Sequence, residues 1–246
     1  MPNLLRPIVE RCVYQLMPKH LTRYVPQGLD LLLDIAKQNI EYQPTVVFDV
    51  GANIGQTVLK WRRYFPKAQY HCFEPVTDSF DALNAATSGM QNVTCHRFAL
   101  GASVGTERIQ IHSKSTMNSI VDARSLSVAN QCEVIHVDMV DNFCNSLKIE
   151  RIDVLKIDTE GFDLEVLKGA AGMLKSQSVD LIQCEAGMNL FNERHVPFTD
   201  VANFLQNFGY SLFGIYEQQL EWSGPQRLRF ANPVFISEKM AVSRFK

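Results

Sequence analysis

Three absences narrow the reading before any motif is considered. There is no excess of positive charge: 24 Lys+Arg stand against 26 Asp+Glu, for a formal net charge of -2. A general nucleic-acid binder carries a basic balance or stripe, so nucleic acid is not an expected partner. There is no Cys-x-x-Cys pair. The six cysteines, Cys12, Cys72, Cys95, Cys132, Cys144 and Cys184, are scattered, several of them inside apolar strand-like runs. Buried reduced thiols fit that pattern better than a disulfide framework. Nor is there an apolar run of transmembrane length. Arg6, Glu10 and Arg11 interrupt the apolar residues between Met1 and Lys19, which breaks the uninterrupted core of a signal peptide. The expectation is a cytoplasmic protein. Repeats and low-complexity segments are also missing. What remains is a chain of 246 residues, 46% hydrophobic and 20% charged. That is enough for one three-layer α/β domain with a full core, with no break in composition that forces two.

The stretch around which the chain is organised is Thr45-Val-Val-Phe-Asp-Val-Gly-Ala-Asn-Ile-Gly55. A run of β-branched and aromatic residues surrounds Asp49, and Gly51 and Gly55 follow. Gln56 to Tyr64 can then be helical, so the stretch reads as buried strand, tight turn and helix. Such a turn lets the backbone approach a nucleotide-like ligand, and the helix start offers free N–H groups. The glycine spacing discriminates between ligands. A dinucleotide fingerprint needs glycine at positions 51, 53 and 56, but Asn53 and Gln56 occupy the last two. That counts against a nicotinamide-dependent oxidoreductase. Gly51-x-Asn53-x-Gly55 after Asp49 instead resembles the first motif of S-adenosylmethionine-dependent methyltransferases.

Further strands are expected to end in acids. Gln69 to Phe73 closes on Glu74, Pro75 stops the strand at once, and a helix from Thr77 to Thr87 follows, capped by Thr77 or Asp78. Glu74 lies 23 positions after Gly51, near the interval at which a Rossmann-type fold places its ribose-binding carboxylate. Val93 to Leu100 reads as a third strand, and residues from Phe98 to Leu100, Ala99 among them, would flank an adenine. Ile152 to Ile157 runs into Asp158, Glu160 and Gly161, and a helix carrying Leu167, Ala170, Ala171 and Leu174 follows. Val179 to Cys184 ends at Glu185. In open α/β sheets the ligand crevice lies outside the carboxyl ends of the strands. Asp49, Glu74, Asp158 and Glu185 are all delivered to that edge.

The remaining segments are less regular. Residues 1 to 24 suit a helix covering part of the domain, a membrane-surface contact or a dimer arm, the last implying a homodimer. Gly101 to Asp122 break the βα rhythm, and a polar stretch from Met117 to Asn130 suits either acceptor recognition or an ordinary surface hairpin. The loop from Ala186 to Pro197 is too long for a minimal connection. It holds His195, the only one of six histidines on the expected active edge. His195 reads as a general base or as a packing residue. Tyr210 to Tyr216 and Asn232 to Ser237 form a closing pair of strands, with Trp222 in the connection between them.

With these stretches placed, the chain resembles the FkbM family of methyltransferases. The likeness rests on Val47-Phe-Asp-Val-Gly-Ala-Asn-Ile-Gly55, Phe73-Glu-Pro75, Val140-Asp141 and above all Leu155-Lys-Ile-Asp-Thr-Glu-Gly-Phe-Asp-Leu-Glu-Val-Leu-Lys-Gly-Ala170. Gln183-Cys-Glu185 and Gly209 to Phe213 agree. Two positions depart from it: Asn142 replaces an acid often seen after Asp141, and Asp163 takes a place usually held by Glu. The resemblance implies a Rossmann-like class I fold, a seven-stranded mostly parallel sheet with one antiparallel strand and helices on both faces. It makes residues 27 to 246 one methyltransferase domain behind an N-terminal extension of residues 1 to 26. It implies S-adenosyl-L-methionine as cofactor and O-methylation of a sugar, glycan or secondary metabolite. By position, Gly51, Asn53 and Gly55 would line the methionine part, Asp49 would reach its amino group and Glu74 would hold the ribose. Asp158 or Glu160, or alternatively His195, would orient or deprotonate the acceptor. A shared magnesium or manganese ion on Asp158, Glu160 and Glu185 is a second arrangement of the same acids. A non-catalytic cofactor-binding protein of the same fold is the rival reading.

Overall fold

The computed structural model describes residues 26–38, 42–110, 119–120 and 132–243. The expected extension, apart from Pro26, and most of the polar stretch from Met117 to Asn130 lie outside the described residues. After a first helix α1 (Leu31–Gln38) the chain alternates strand and helix: β1 (Val46–Val50), α2 (Gln56–Trp61), β2 (Gln69–Phe73), α3 (Thr77–Ala86) and β3 (Val93–His96). Four short strands follow, β4 (Ala99–Leu100), β5 (Gly105–Gln110), β6 (Ser119–Ile120) and β7 (Cys132–Asp138). Then come α4 (Val140–Leu147), β8 (Ile152–Ile157), α5 (Asp163–Lys168), α6 (Ala171–Lys175), β9 (Val179–Gln183) and β10 (Ala186–Gly187). The chain closes with α7 (Phe198–Gln206), β11 (Tyr210–Leu220), β12 (Leu228–Ser237) and α8 (Glu238–Ser243).

The main sheet runs β3-β2-β1-β8-β9-β12, with β11 on the far side of β12. Every pair from β3 to β9 is parallel, and β12 is antiparallel to both β9 and β11. This is the expected seven-stranded arrangement with one antiparallel strand. The two-residue β10 also pairs with β12, as an eighth strand. Every residue of β8 and β9 is buried, as expected for central parallel strands covered on both faces. The two faces carry separate cores. Phe48, Val50, Phe73, Leu155, Ile157 and Ile182 pack with residues of α4 to α7 on one side. Val47, Tyr70, Val154 and Leu181 pack with residues of α1 and α2 on the other.

The structure corrects three expectations. The strand expected from Val93 to Leu100 is broken. Its first part pairs with β2, whereas Ala99 and Leu100 leave to pair with β7 in a separate sheet ordered β4-β7-β5-β6. The single helix expected after Gly161 is two, interrupted between α5 and α6. The cause is close packing at Gly169, where a Cβ would stand 2.0 Å from the carbonyl oxygen of Gly101. Asp141 then starts the second helix, accepting hydrogen bonds from the N–H groups of Gly172 (2.7 Å) and Met173 (3.0 Å). Finally, α3 takes Val76 as its N-cap, with no side-chain cap, instead of Thr77 or Asp78. Among the described residues no helix is long and apolar enough to cross a membrane.

Candidate active site

A cavity of about 310 Å³ opens at the carboxyl edge of β1, β2 and β8. Its floor is the turn from Val50 to Asn53, its sides are Glu74 to Val76 and Asp158 to Glu160, and Ala99, Leu100 and Ile109 close it from the small sheet. Ala99, Ile109, Val76, Ile135 and Val137 form a third apolar cluster that fixes this cover over the main sheet.

The glycine turn has a steric reason. Gly51 sits at φ +75°, and a Cβ there would lie 1.9 Å from the carbonyl oxygen of Asp158. Only a residue without a side chain lets the β1 and β8 turns approach so closely. Asn53, at φ 49°, donates its N–H to Glu74 Oε2 at 2.9 Å, and Val76 donates to Glu74 Oε1 at 3.0 Å. Each carboxylate oxygen therefore keeps acceptor capacity for a ligand hydroxyl. Burial pushes the Glu74 carboxyl up to about 7, with the two N–H groups opposing it. Asn53 Oδ1 is buried without a hydrogen-bond partner, an acceptor that a ligand's N–H or O–H would satisfy.

Asp49 and Gly55 do not line the cavity. Asp49 is 1% exposed and lies directly opposite Lys156 in the parallel register of β1 and β8. The Lys156 ammonium stands 3.1 Å from Asp49 and 3.2 Å from Asp158, whose side chain is 38% exposed at the cavity wall. Burial alone would lower the lysine pKa. The carboxylates of Asp158 and Asp49 reverse that and hold it above the ordinary range, so Lys156 stays cationic. Lys156 lines the cavity and the sequence reading missed it. The available signal was a lone cation inside a buried strand that is apolar save for Asp153. Gln56, Thr57 and Phe162 also line the cavity and were missed.

Beyond Asp158 the chain turns sharply. Glu160 is left-handed at φ 55° and Gly161 follows at φ 102°, with the carbonyl of Arg194 only 2.4 Å from where a Cβ would sit. Asp163 anchors the turn. Its Oδ2 accepts from the N–H (3.1 Å) and hydroxyl (2.6 Å) of Thr159, and its Oδ1 accepts from the N–H of Glu185 (3.1 Å). The turns after β8 and β9 are thereby tied to one carboxylate. Burial raises Asp163 to about 6.

Glu160 lines the cavity on one side and meets a second group of residues on the other. Its Oε2 is 2.7 Å from Arg194 Nη2 and 3.9 Å from His195 Nε2. His195 is buried, with Nε2 3.0 Å from Glu185 Oε2. Burial raises Glu160 to about 7, the Glu185 charge adds to this, and Arg194 opposes it. Asp158 and Glu160 thus share the cavity wall. His195 and Glu185 lie behind Glu160, outside the lining. Past Arg194 a shallower groove holds Phe191, Trp222 and Arg229. Trp222 is 79% exposed, with the Arg229 guanidinium 3.9 Å from its ring centre.

Comparison with known proteins finds a family and relatives. The methyltransferase FkbM domain matches residues 49–212. A methyltransferase of Sordaria araneosa, sdnD, is 32% identical over 173 residues, covering 57% of this chain and 64% of that protein. A hexuronic acid methyltransferase of Haloferax volcanii, AglP, is 27% identical over 168 residues, covering 65% of this chain and 62% of that protein. The chain thus spans less than two thirds of the length of both relatives. Among solved structures, an rRNA methylase from Streptococcus thermophilus superposes with a TM-score of 0.46 at 8% identity, covering 84% of this chain and 93% of that one. From the match across the strand-and-turn segments that build the cavity, the chain belongs to the FkbM family of methyltransferases.

Proposed function

We propose that the protein transfers the methyl group of S-adenosyl-L-methionine to a hydroxyl of a sugar, glycan or secondary metabolite. The observation that carries this reading is the cavity itself. It combines a glycine turn with an orphaned Asn53 oxygen, a buried Glu74 with free acceptor capacity, and apolar cover from Ala99, Leu100 and Ile109. These suit, in turn, the methionine, ribose and adenine parts of the donor. Asp158 and Glu160 face the space where an acceptor would enter.

Methyl transfer from a sulfonium is an in-line displacement. The acceptor oxygen forms a bond to carbon as the carbon–sulfur bond breaks, its electron pair stays on sulfur, and the hydroxyl proton leaves. The protein supplies alignment and exclusion of water. The proton passes to a carboxylate on the cavity wall, Asp158 or Glu160, with His195 behind Glu160 as the alternative base. A sugar-type acceptor is supported by the hexuronic acid methyltransferase among the relatives. The groove beyond Arg194 supports it too, since the exposed Trp222 ring can stack against a pyranose face.

Titration calorimetry with the donor and its demethylated product, with NAD as control, tests the cofactor. The expected result is binding of both sulfur compounds, lost in Glu74→Ala. A labelled-methyl assay on uronate-containing glycans and metabolite pools tests transfer. Folded protein that binds neither sulfur compound would overturn the proposal.

A further inference from the structure

Behind the cavity wall, Glu160, Glu185 and His195 each direct one ligand-type atom to a common point, all within 4.8 Å of one another. We infer that these three side chains form a divalent-cation site, best suited to manganese, at the acceptor side of the donor cavity. The inference deepens the methyl-transfer reading and rests on it for its purpose. Under it Glu160 and His195 are ligands, which leaves Asp158 as the carboxylate available to the acceptor.

The imidazole is held in place from behind. Asn192 lies 2.9 to 3.0 Å from His195 Nδ1, and its Oδ1 also accepts from the N–H groups of Arg194 and His195. Its amide donates to the Arg229 carbonyl at 2.8 Å, which fixes which end faces which partner. Phe230 packs on the ring, 4.8 Å between centres. In the tautomer that donates Nδ1–H to Asn192 Oδ1 at 3.0 Å, Nε2 presents a lone pair to the two carboxylates, as a metal-bound histidine does.

The spacing of the atoms facing that lone pair suits shared ligation of one ion. Glu185 Oε2 is buried and makes no hydrogen bond, although His195 Nε2 is only 3.0 Å away. The histidine side chain is 4% exposed. An octahedral ion about 2.1 Å from its ligands separates neighbouring donors by about 3 Å and opposite donors by about 4.2 Å. The 3.0 Å and 3.9 Å separations from Nε2 fall within that span. Charge agrees as well. Two carboxylates meet here, with the Arg194 guanidinium 2.7 Å from one of them, a donor set that suits a cation. Two carboxylates with one imidazole, and water in the remaining positions, match manganese better than a purely oxygen-seeking magnesium or a sulfur-seeking ion. The site exchanges Asp158 of the expected ligand set for His195, because Asp158 is turned toward Lys156.

The test is titration of the full chain with Mn²⁺ alone, following loss of the free-ion electron paramagnetic resonance signal, with donor binding measured on the same samples. One Mn²⁺ per chain is expected, with affinity falling at least about tenfold in both Glu185→Gln and His195→Gln and unchanged in Asp158→Asn. Absence of a stoichiometric site in wild-type protein that still binds the methyl donor would overturn the cation site and leave the methyl-transfer reading standing. So would a site indifferent to both Glu185→Gln and His195→Gln. Failure of donor binding in folded protein would instead remove the transfer reading.

Discussion

At the scale of single residues, the centre of the site is a buried charge arrangement in which Lys156 joins Asp49 to Asp158. Removing the cation strands Asp49 in a site with no solvent. Lys156→Met is expected to cost about 3–5 kcal/mol, measured by urea unfolding at pH 8. Asp49→Asn in the same background should return part of that loss. Glu74 sets a second prediction. Its folded pKa of about 7 lies above the ordinary 4.5. The proton is therefore held more tightly in the folded state, and the resulting stability is full below about pH 4.5 and lost as pH rises to about 7. The wild-type protein without donor should lose up to about 3 kcal/mol across that window relative to Glu74→Gln. Melting curves of both proteins at a series of pH values check this. An equal slope in the two would contradict it. Glu74 was legible in sequence because a proline stops its strand and fixes its place. Lys156 was not, because its importance comes from the register that sets it opposite Asp49, and register is a property of two strands at once.

At the scale of elements, the alternation of strands and helices could be read almost throughout, since the fully buried β8 and β9 are mostly apolar in sequence, Asp153, Lys156, Asp180 and Gln183 apart. The failures share a cause. The break after His96 and the interruption at Gly169 are imposed by a partner distant in the chain, β7 for Ala99 and Gly101 for Gly169. Local pattern carries no trace of such contacts. Close approach also makes Gly51 the most sensitive element boundary. Gly51→Ala places a methyl group against the Asp158 carbonyl, so one of the two turns must move. Donor affinity is expected to fall at least tenfold, with a loss of roughly 1–3 kcal/mol in stability. Calorimetry and thermal melting measure the two effects. Asp163 ties together the turns after β8 and β9, and its replacement by alanine should free both. The expected loss is several kcal/mol, read by denaturant unfolding, because three hydrogen bonds to one buried carboxylate disappear together.

At the scale of the whole molecule, the family match and the sheet order describe a frame common to many chemistries, so the acceptor depends on what surrounds the cavity. The groove beyond Arg194 gives a direct prediction. Trp222→Ala should raise the acceptor KM several-fold while leaving donor affinity unchanged, in a steady-state assay varying one substrate at a time. A parallel change in both would remove the tryptophan from acceptor recognition.

The small four-stranded sheet has a consequence of its own. It shares no strand with the large one, and the cavity over Gly51 and Glu74 is lined by residues of both. A bound donor would act as mortar between two courses of masonry, touching both. Amide protons of β5 should then exchange with deuterium sooner than those of β8 in ligand-free protein, and slow more steeply once the donor is bound.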